Sequence, residues 1–490
     1  MQSLSSLGEA DPFERRCVMR KCRMIWFSLL LLMLVSLSAC GNKQESVDNT
    51  QKIRTFSDWT KQAEFQEVPA MDFEGTKVNT VEDYGAKTYI VSVSGTTTEQ
   101  YQDYLKLMEK AGFKKYADNG EQGLNQNVYA ATFTKDGLTV NVTQTVKTET
   151  TYIAACATEI LSEHLIYKDE YVADNVADTK TKLHMLEMCK FGNSIIIQMK
   201  NGNFILNDGG NPEDTERLLD YLQSLTAEGK KPVVEAWFVS HAHGDHIGPF
   251  EGLVKNPSLF EKIHVEGVYY CEPSSTVVSK FDNMATAQIQ YLKMAVASMK
   301  TSNNEKTPLY RIHTGQKLYF SDIVIDVALT QEQMLYEQHY RDFNDTSTWL
   351  MYHIDDTKYL LSGDADYGAM QTVMDMYDSN YFELDIYTVF HHGINVWDKF
   401  NEWIQFNTAL YPNYRVGSLW PDNSAYSYDE ENARLQEMAT ECYAYGRGTV
   451  VLTFPYKVGT AEILPGIDWS KYVAEREFEQ ELMENFSVKK

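Results

Sequence analysis

The sequence predicts an α+β protein in which a small amino-terminal α+β domain precedes a larger mixed domain, and three observations lead there. The 490 residues exceed what one core normally covers, and a hydrophobic content of 43% suffices for two. Strand-like runs flank one amphipathic helix early in the chain and alternate with helix-like runs later. The third observation is chemical: His241-Ala242-His243-Gly244-Asp245-His246 follows directly on an apolar strand-like run.

The amino terminus is read first. Arg15, Arg16, Arg20, Lys21 and Arg23 precede Met24 to Ala39, which is apolar apart from three serines, the layout of a signal peptide. The stretch is short of the roughly twenty apolar residues that a membrane span takes. Leu37-Ser38-Ala39-Cys40-Gly41-Asn42 resembles a bacterial lipobox, which implies a lipoprotein leader over 1–39 and lipidation of Cys40. An extracytoplasmic protein, anchored to the cell membrane by lipid, is the expectation. Residues 40–53 are polar and aperiodic, a tether.

Residues 54–160 form the small domain. Thr96-Thr97-Thr98-Glu99 reads as a capping box, Tyr101, Leu105, Met108 and Ala111 share one helical face, and Gly112 ends the helix. Strands are expected over Lys87–Val93, Val128–Phe133, Leu138–Val146 and Thr151–Ala155, with Asp136-Gly137 as a hairpin turn. No chemical motif falls here, so a spacer or binding module is expected. Residues 161–182 read as a polar linker, 183–465 as the larger domain and 466–490 as a helical tail.

In the larger domain a hairpin of Ser194–Met199 and Phe204–Leu206 leads into Asn207-Asp208-Gly209-Gly210. Val233–Val239 is an apolar strand that hands over at Ser240 to the histidine cluster, after which Ile247–Val254 reads as a helix. Ligands at such a handover are where α/β sheets place their chemistry. A second hairpin, Leu350–Ile354 with the turn Asp355–Lys358, ends in Leu360-Leu361-Ser362-Gly363-Asp364. A strand over Ile386–Phe390 runs into His391-His392-Gly393, so five of the eleven histidines sit in two motifs at strand ends. Neutral imidazoles with an adjacent carboxylate suit zinc, manganese or iron, and let one loop serve two ions.

In this order the motifs resemble the metallo-β-lactamase superfamily, over roughly Leu183 to Pro455. The resemblance implies a four-layer αββα sandwich and a metal-dependent hydrolase. It makes His241 and His243 ligands of a first metal, Asp245 and His246 of a second, and Asp364 the bridging carboxylate. One of His391 and His392 completes the set, and the sequence does not decide between them. Asp208 is similar to the aspartate that steadies the His loop from behind, with an Asx-turn before two glycines as the alternative. The implied cofactor is a divalent metal, two zinc ions first, with manganese or iron as alternatives. Asp245 and Asp364 would stand at the reacting centre, where ions about 3.5–4 Å apart activate a water.

Departures narrow the branch. The superfamily's lactamases, glyoxalases and tRNA-processing nucleases carry a Gly-His-Ser/Thr triplet before the bridging acid, and this chain has none. His264, His313 and His353 have structural readings, and His339 is the alternative first-metal ligand. The combination with Ser362-Gly363-Asp364-Ala365 and His-His-Gly is similar to the nuclease domain of ComEC-type DNA-uptake proteins and to phosphorylcholine esterases, which implies a phosphodiesterase. The Gly-His-Pro of the ComEC group is absent, its place taken by Trp420 to Tyr426. A formal net charge of −25 repels phosphate polymers, so a small-molecule or membrane- or cell-wall-displayed phosphoester is expected over nucleic acid. Two alternatives stay open: another ester, lactone or β-lactam as substrate, and a non-catalytic surface-binding lipoprotein. The aromatic run from Trp397 to Tyr428 reads mainly as core, with Trp397 or Trp420 as an alternative platform for a choline head group. Cys156, Cys189, Cys271 and Cys442 read as small apolar residues.

Overall fold

The computed structural model describes residues 53–84, 87–121, 127–162, 180–333, 342–394, 396–413 and 430–473. The leader, Cys40 and the tether, residues 163–179, His339, Trp420 and the chain beyond 473 lie outside them. Among the described residues no helix is long and apolar enough to cross a membrane.

The small domain runs β1 (Lys77–Asp83), β2 (Thr88–Ser94), α1 (Thr98–Lys110), β3 (Lys114–Asp118), β4 (Val128–Lys135), β5 (Leu138–Thr145) and β6 (Thr150–Cys156). Its six strands pair antiparallel in the order β1-β2-β6-β5-β4-β3. Tyr101, Tyr104, Leu105 and Met108 form the stripe that α1 buries against Val91, Phe133, Val140 and Ile153. The capping box falls one residue later than the sequence suggests. Thr97 Oγ1 accepts from Gln100 N and Gln100 Oε1 from Thr97 N, because the Thr96 hydroxyl is paired with that of Thr151 in the sheet.

The larger domain continues with β7 (Lys182–Met185), β8 (Ser194–Gln198), β9 (Phe204–Asp208), α2 (Thr215–Ser224), β10 (Val233–Phe238), α3 (Gly244–Lys255), β11 (His264–Val265), β12 (Val268–Tyr269), α4 (Ser275–Phe281), α5 (Ala285–Ser298) and β13 (Leu309–Tyr310). Then come β14 (Lys317–Phe320), β15 (Ile323–Leu329), β16 (Trp349–Ile354), β17 (Thr357–Leu361), α6 (Tyr367–Met376), β18 (Ile386–Thr388), β19 (Thr408–Tyr411), α7 (Glu430–Met438), β20 (Glu441–Ala444), β21 (Val450–Thr453) and β22 (Glu462–Ile463). One sheet is ordered β13-β12-β10-β9-β8-β7-β21-β22, with β11 also on β10; the other is β14-β15-β16-β17-β18-β19-β20.

Alternate side chains of β16 enter different cores, which shows how the layers stack. Leu350, Tyr352 and Ile354 face the core shared with Ile196 and Leu206 of the first sheet, while Trp349 and Met351 face Met370 and Val373 of α6. On the far side Leu218 of α2, Phe250 and Leu253 of α3 and Leu292 of α5 close the first sheet. The larger domain is therefore the αββα sandwich. Each fully buried Leu, Ile or Phe contributes about 1.5–3 kcal/mol of transfer free energy, which makes this interior the main source of stability.

Two expectations change at their edges. The 161–182 linker is anchored at both ends, since Leu161 bridges to Arg311 and Lys182 opens β7. In the expected helical tail, the described part holds a short 3-10 turn at Trp469–Lys471, fastened where Trp469 Nε1 donates to Glu187.

The small domain is bonded to the larger one. Arg311 N donates to Ile160 O at 2.9 Å, and Val128 of β4 joins the core behind Trp349. Beside that seam the buried His313 lies between Glu159, 3.1 Å from Nε2, and Glu332, 2.9 Å from Nδ1, and Arg311 pairs with both acids. Burial opposes charge on His313, but the two carboxylates outweigh it and raise its pKa to about 9. Burial likewise disfavours the charged Glu332, and His313 and Arg311 outweigh it, lowering that pKa to about 2. A reading from position alone, as the residue before the turn Thr314-Gly315, misses this network.

Candidate metal centre

The first sheet ends its central strands β9 and β10 side by side and parallel, which brings Asp208 and Ser240 together. Asp208 takes a left-handed backbone, φ 56°, as the chain turns into Gly209. Its carboxylate gathers four donors: Ser240 N at 2.8 Å on Oδ1, and Ser240 Oγ at 2.8 Å, Asn193 Nδ2 at 2.8 Å and His246 Nδ1 at 2.7 Å on Oδ2. Helix α3 begins at Gly244, ahead of the apolar periodicity that starts at Ile247, so His243 occupies the cap position and Asp245 and His246 the first turn.

The second sheet supplies the opposite wall. Gly363, at φ 57°, lets the Asp364 loop approach Ser240 so closely that a Cβ there would lie 2.7 Å from the Ser240 side chain. Asp364 N donates to Ser347 Oγ at 3.1 Å. After β18, His391 and His392 both adopt left-handed backbone, φ 46° and 55°. Such conformations cost about 1–3 kcal/mol each and persist where surroundings over-determine them. Here Asn413 Nδ2 donates to His392 O and Asn432 Nδ2 to Gly393 O, clamping the turn.

Two ligand groups result, sharing one carboxylate. Asp245, His246, Asp364 and His392 offer atoms that lie within 4.8 Å of one another, and so do His241, His243 and Asp364. His246 Nε2 is 3.0 Å from Asp364 Oδ1, and His392 Nε2 is 3.1 Å from Asp245 Oδ2 and 3.3 Å from Asp364 Oδ2. His392 is thus the histidine of the pair that enters the second group. His391 Nε2 stays 3.7 Å from Asp364 Oδ2 and keeps about a fifth of its side chain exposed, at 19%.

The far nitrogen of each imidazole settles its tautomer. His392 Nδ1 donates to Pro412 O at 2.8 Å and His246 Nδ1 donates to Asp208. The single hydroxyl proton of Ser240 goes to Asp208, so at 3.1 Å Ser240 Oγ accepts from His241 Nδ1. His243 Nε2 donates to Asp282 Oδ2 at 3.2 Å. Each of these four imidazoles therefore turns its other nitrogen inward; His241 Nε2 and His243 Nδ1 face each other at 2.8 Å, an arrangement that suits a cation between them. The residues fit a divalent metal.

Electrostatics agree. Burial, then His246 and His243, hold the His241 pKa well below its ordinary value, leaving a neutral donor. Burial disfavours the Asp364 carboxylate, but His246, His392 and His391 outweigh it and keep it ionised. Burial also opposes charge on His246 and His392, and Asp364 with its neighbouring acids raises both, His392 to about 10.

Asp282 and Phe343 are parts of this centre that the motifs do not contain. Phe343 packs 5.2 Å from His243 and 6.4 Å from His241, ring centre to ring centre. His264 and His353 lie on β11 and β16, the latter 3.1 Å from Asp326, away from the ligands. Trp397 packs against Tyr367 with Lys399 over its ring, and the four cysteines are unbridged, three of them buried.

Residues 188–399 match the metallo-beta-lactamase superfamily, a span that holds every ligand above. The chain carries a metallo-beta-lactamase superfamily domain over these residues. Among solved structures it is similar to Tm1679, a metal-dependent hydrolase of the beta-lactamase superfamily, at 9% identity over 58% of this chain and 100% of that one, with a TM-score of 0.31. A protein of unknown function from Enterococcus faecalis V583 shows 13% identity over 43% of this chain, TM-score 0.26, and the chain spans about half of its length, 49%. A metallo beta lactamase from Hirschia baltica shows 13% identity over 38% of this chain and 73% of that one, TM-score 0.22. No curated protein matches the chain.

Proposed function

We propose that this protein is an extracytoplasmic phosphodiesterase or phosphoesterase, held to the membrane by lipid on Cys40 and related to the ComEC-type and phosphorylcholine-esterase branch. The observation that carries the reading is Asp364 standing between two adjoining ligand groups. That arrangement suits substrates whose attacking and leaving oxygens both need charge stabilisation, as a phosphodiester does. When bound, zinc, manganese or iron supplies Lewis-acid charge and an activated water.

The chain's own residues do the rest. Asp208, Ser240, Asp282 and Pro412 fix the four imidazoles so that no reorientation is needed at reaction. Asp364, buried and ionised, holds the two groups in register. Asp245 keeps 18% of its side chain exposed and lies at hydrogen-bonding distance from His392, the place from which to accept a proton from the attacking water. Phe343 packs beside the rings of His241 and His243.

The net charge of −25 favours a small or surface-displayed phosphoester over nucleic acid. A substrate panel tests the reading: bis(p-nitrophenyl) phosphate, p-nitrophenyl phosphorylcholine, a lactone and a chromogenic β-lactam, each with zinc and with manganese. Turnover of the phosphodiesters supports it; turnover of the lactone or β-lactam alone overturns it.

A further inference from the structure

Asp282 lies outside every ligand motif, in the two-helix segment that follows β12, yet it reaches the centre across 39 residues to His243. Of the four imidazoles bonded from behind, His243 is the most exposed, at 27% of its side chain. Its backbone is fixed as the residue capping α3, but its side chain makes no capping bond there. Contacts that restrain rotation of the ring are Phe343 tilted beside it, His241 beside Nδ1 and Asp282 on Nε2.

Asp282 is itself held by two bonds besides the one to His243. Its N donates to Val278 O at 2.9 Å, which ends α4, and its Oδ1 accepts from Met284 N at 2.8 Å, which starts α5. Helix α5 is fixed along α3 by burial of Ile289 and Leu292 beside Phe250 and Leu253, and by Gln288 Nε2 donating to Glu251 at 3.2 Å. One carboxylate oxygen thus belongs to the helix junction and the other to the ligand.

We propose that Asp282 is a positioning residue for the ion at His241 and His243, and that it makes binding there depend on the α4–α5 segment. The inference rests on the metal-centre reading above. A carboxylate accepting from Nε2 keeps the proton on that nitrogen and leaves the Nδ1 lone pair beside His241 Nε2. Loss of this partner frees the ring to rotate and lets the proton move to Nδ1, where it blocks the metal. The other group, which contains neither His243 nor its neighbours on α4, is untouched.

The test compares the full-length protein with Asp282→Ala and Asp282→Asn by titration with cobalt(II) and zinc, and by nitrogen-15 NMR of the imidazoles in metal-free protein. His241→Ala serves to mark which binding step belongs to the first group. Asp282→Ala should weaken that step about 10–100-fold, leave the other unchanged, and shift His243 from the Nε2-protonated tautomer to a mixture. Asp282→Asn retains an oxygen for Met284 N, so the helix junction persists if the alanine variant fails to fold, and because it turns an N–H toward Nε2 it should weaken the first step at least as much and favour the Nδ1-protonated tautomer. Unchanged first-step affinity with an unchanged His243 tautomer overturns the proposal, as does equal weakening of both steps. A wild-type protein that binds neither metal defeats the metal reading instead; the tautomer measurement then still decides whether Asp282 governs His243.

Discussion

Asp208 and His246 form a buried pair in which the carboxylate accepts from Nδ1 at 2.7 Å while Nε2 of the same ring lies 3.0 Å from Asp364. One imidazole is thereby gripped from behind by one sheet end and presented to the other. Asp208 serves four donors at once, which ties β8, β9, the His loop and α3 to a single side chain.

Asp208→Ala should lower metal affinity or activity about 10–100-fold, the usual range for removing a ligand's supporting partner. Asp208→Asn should be nearly as damaging, because an amide would turn an N–H toward groups that are already donors. Metal titration of the two variants checks this, and an asparagine variant with wild-type affinity would contradict it.

The doubled histidine gives a second expectation. His392→Ala removes a ligand from the group of Asp245 and His246, and His391→Ala removes the imidazole nearest Asp364 on the open side. His392→Ala should lose metal and activity together, by at least about 10-fold, His391→Ala should lose less, and His339→Ala should stay close to wild type. Silent substitutions at 391 and 392 alongside an inactive His339→Ala variant would reverse the branch and, with it, the phosphodiester reading.

Much of this centre is legible in the sequence because its ligands are local: His241 to His246 need only a strand end and one helical turn. The choice between His391 and His392 is not legible, since it depends on two left-handed residues that aim one ring at Asp245 and leave the other near solvent. Asp282 is invisible for another reason, a lone acid between two helices whose partner is 39 residues away. The αββα layering follows from the motif resemblance rather than from periodicity, because short buried strands such as β8, all five residues buried, show no alternation. The strands β1 and β3 of the small domain carry mostly exposed, polar residues and escape a hydrophobic reading.

The seam between the domains should be sensitive to pH through His313. Its folded pKa of about 9 exceeds the ordinary 6.5, so the stability it contributes is complete below 6.5 and lost as pH rises through about 9. Glu332 works in the other direction, contributing above 4.5 and losing its contribution as pH falls through about 2. His313→Gln should cost about 3–5 kcal/mol near neutrality, as for a buried pair that loses one partner, and should flatten the decline in unfolding temperature between pH 6.5 and 9. Thermal unfolding of zinc-loaded wild type and variant across that range checks it; parallel curves would contradict it.

Anchoring is testable through one atom. Cys40→Ser removes the thiol that a diacylglyceryl group would modify and should move the protein from the membrane fraction to the medium or the precursor pool. Unchanged membrane retention with an uncleaved amino terminus would mean that residues 24–39 are themselves the anchor.

The bridging role of Asp364 is tested most directly by measuring bound metal and bis(p-nitrophenyl) phosphate hydrolysis on the same preparations of wild type and Asp364→Asn. Wild type should hold two ions and turn over the diester, while the variant unfolds at a similar temperature, holds fewer ions and shows no turnover, because an amide cannot bridge two cations with a carboxylate's charge. Most of the activity surviving in Asp364→Asn, with the metal content unchanged, would contradict a two-ion centre built on that residue.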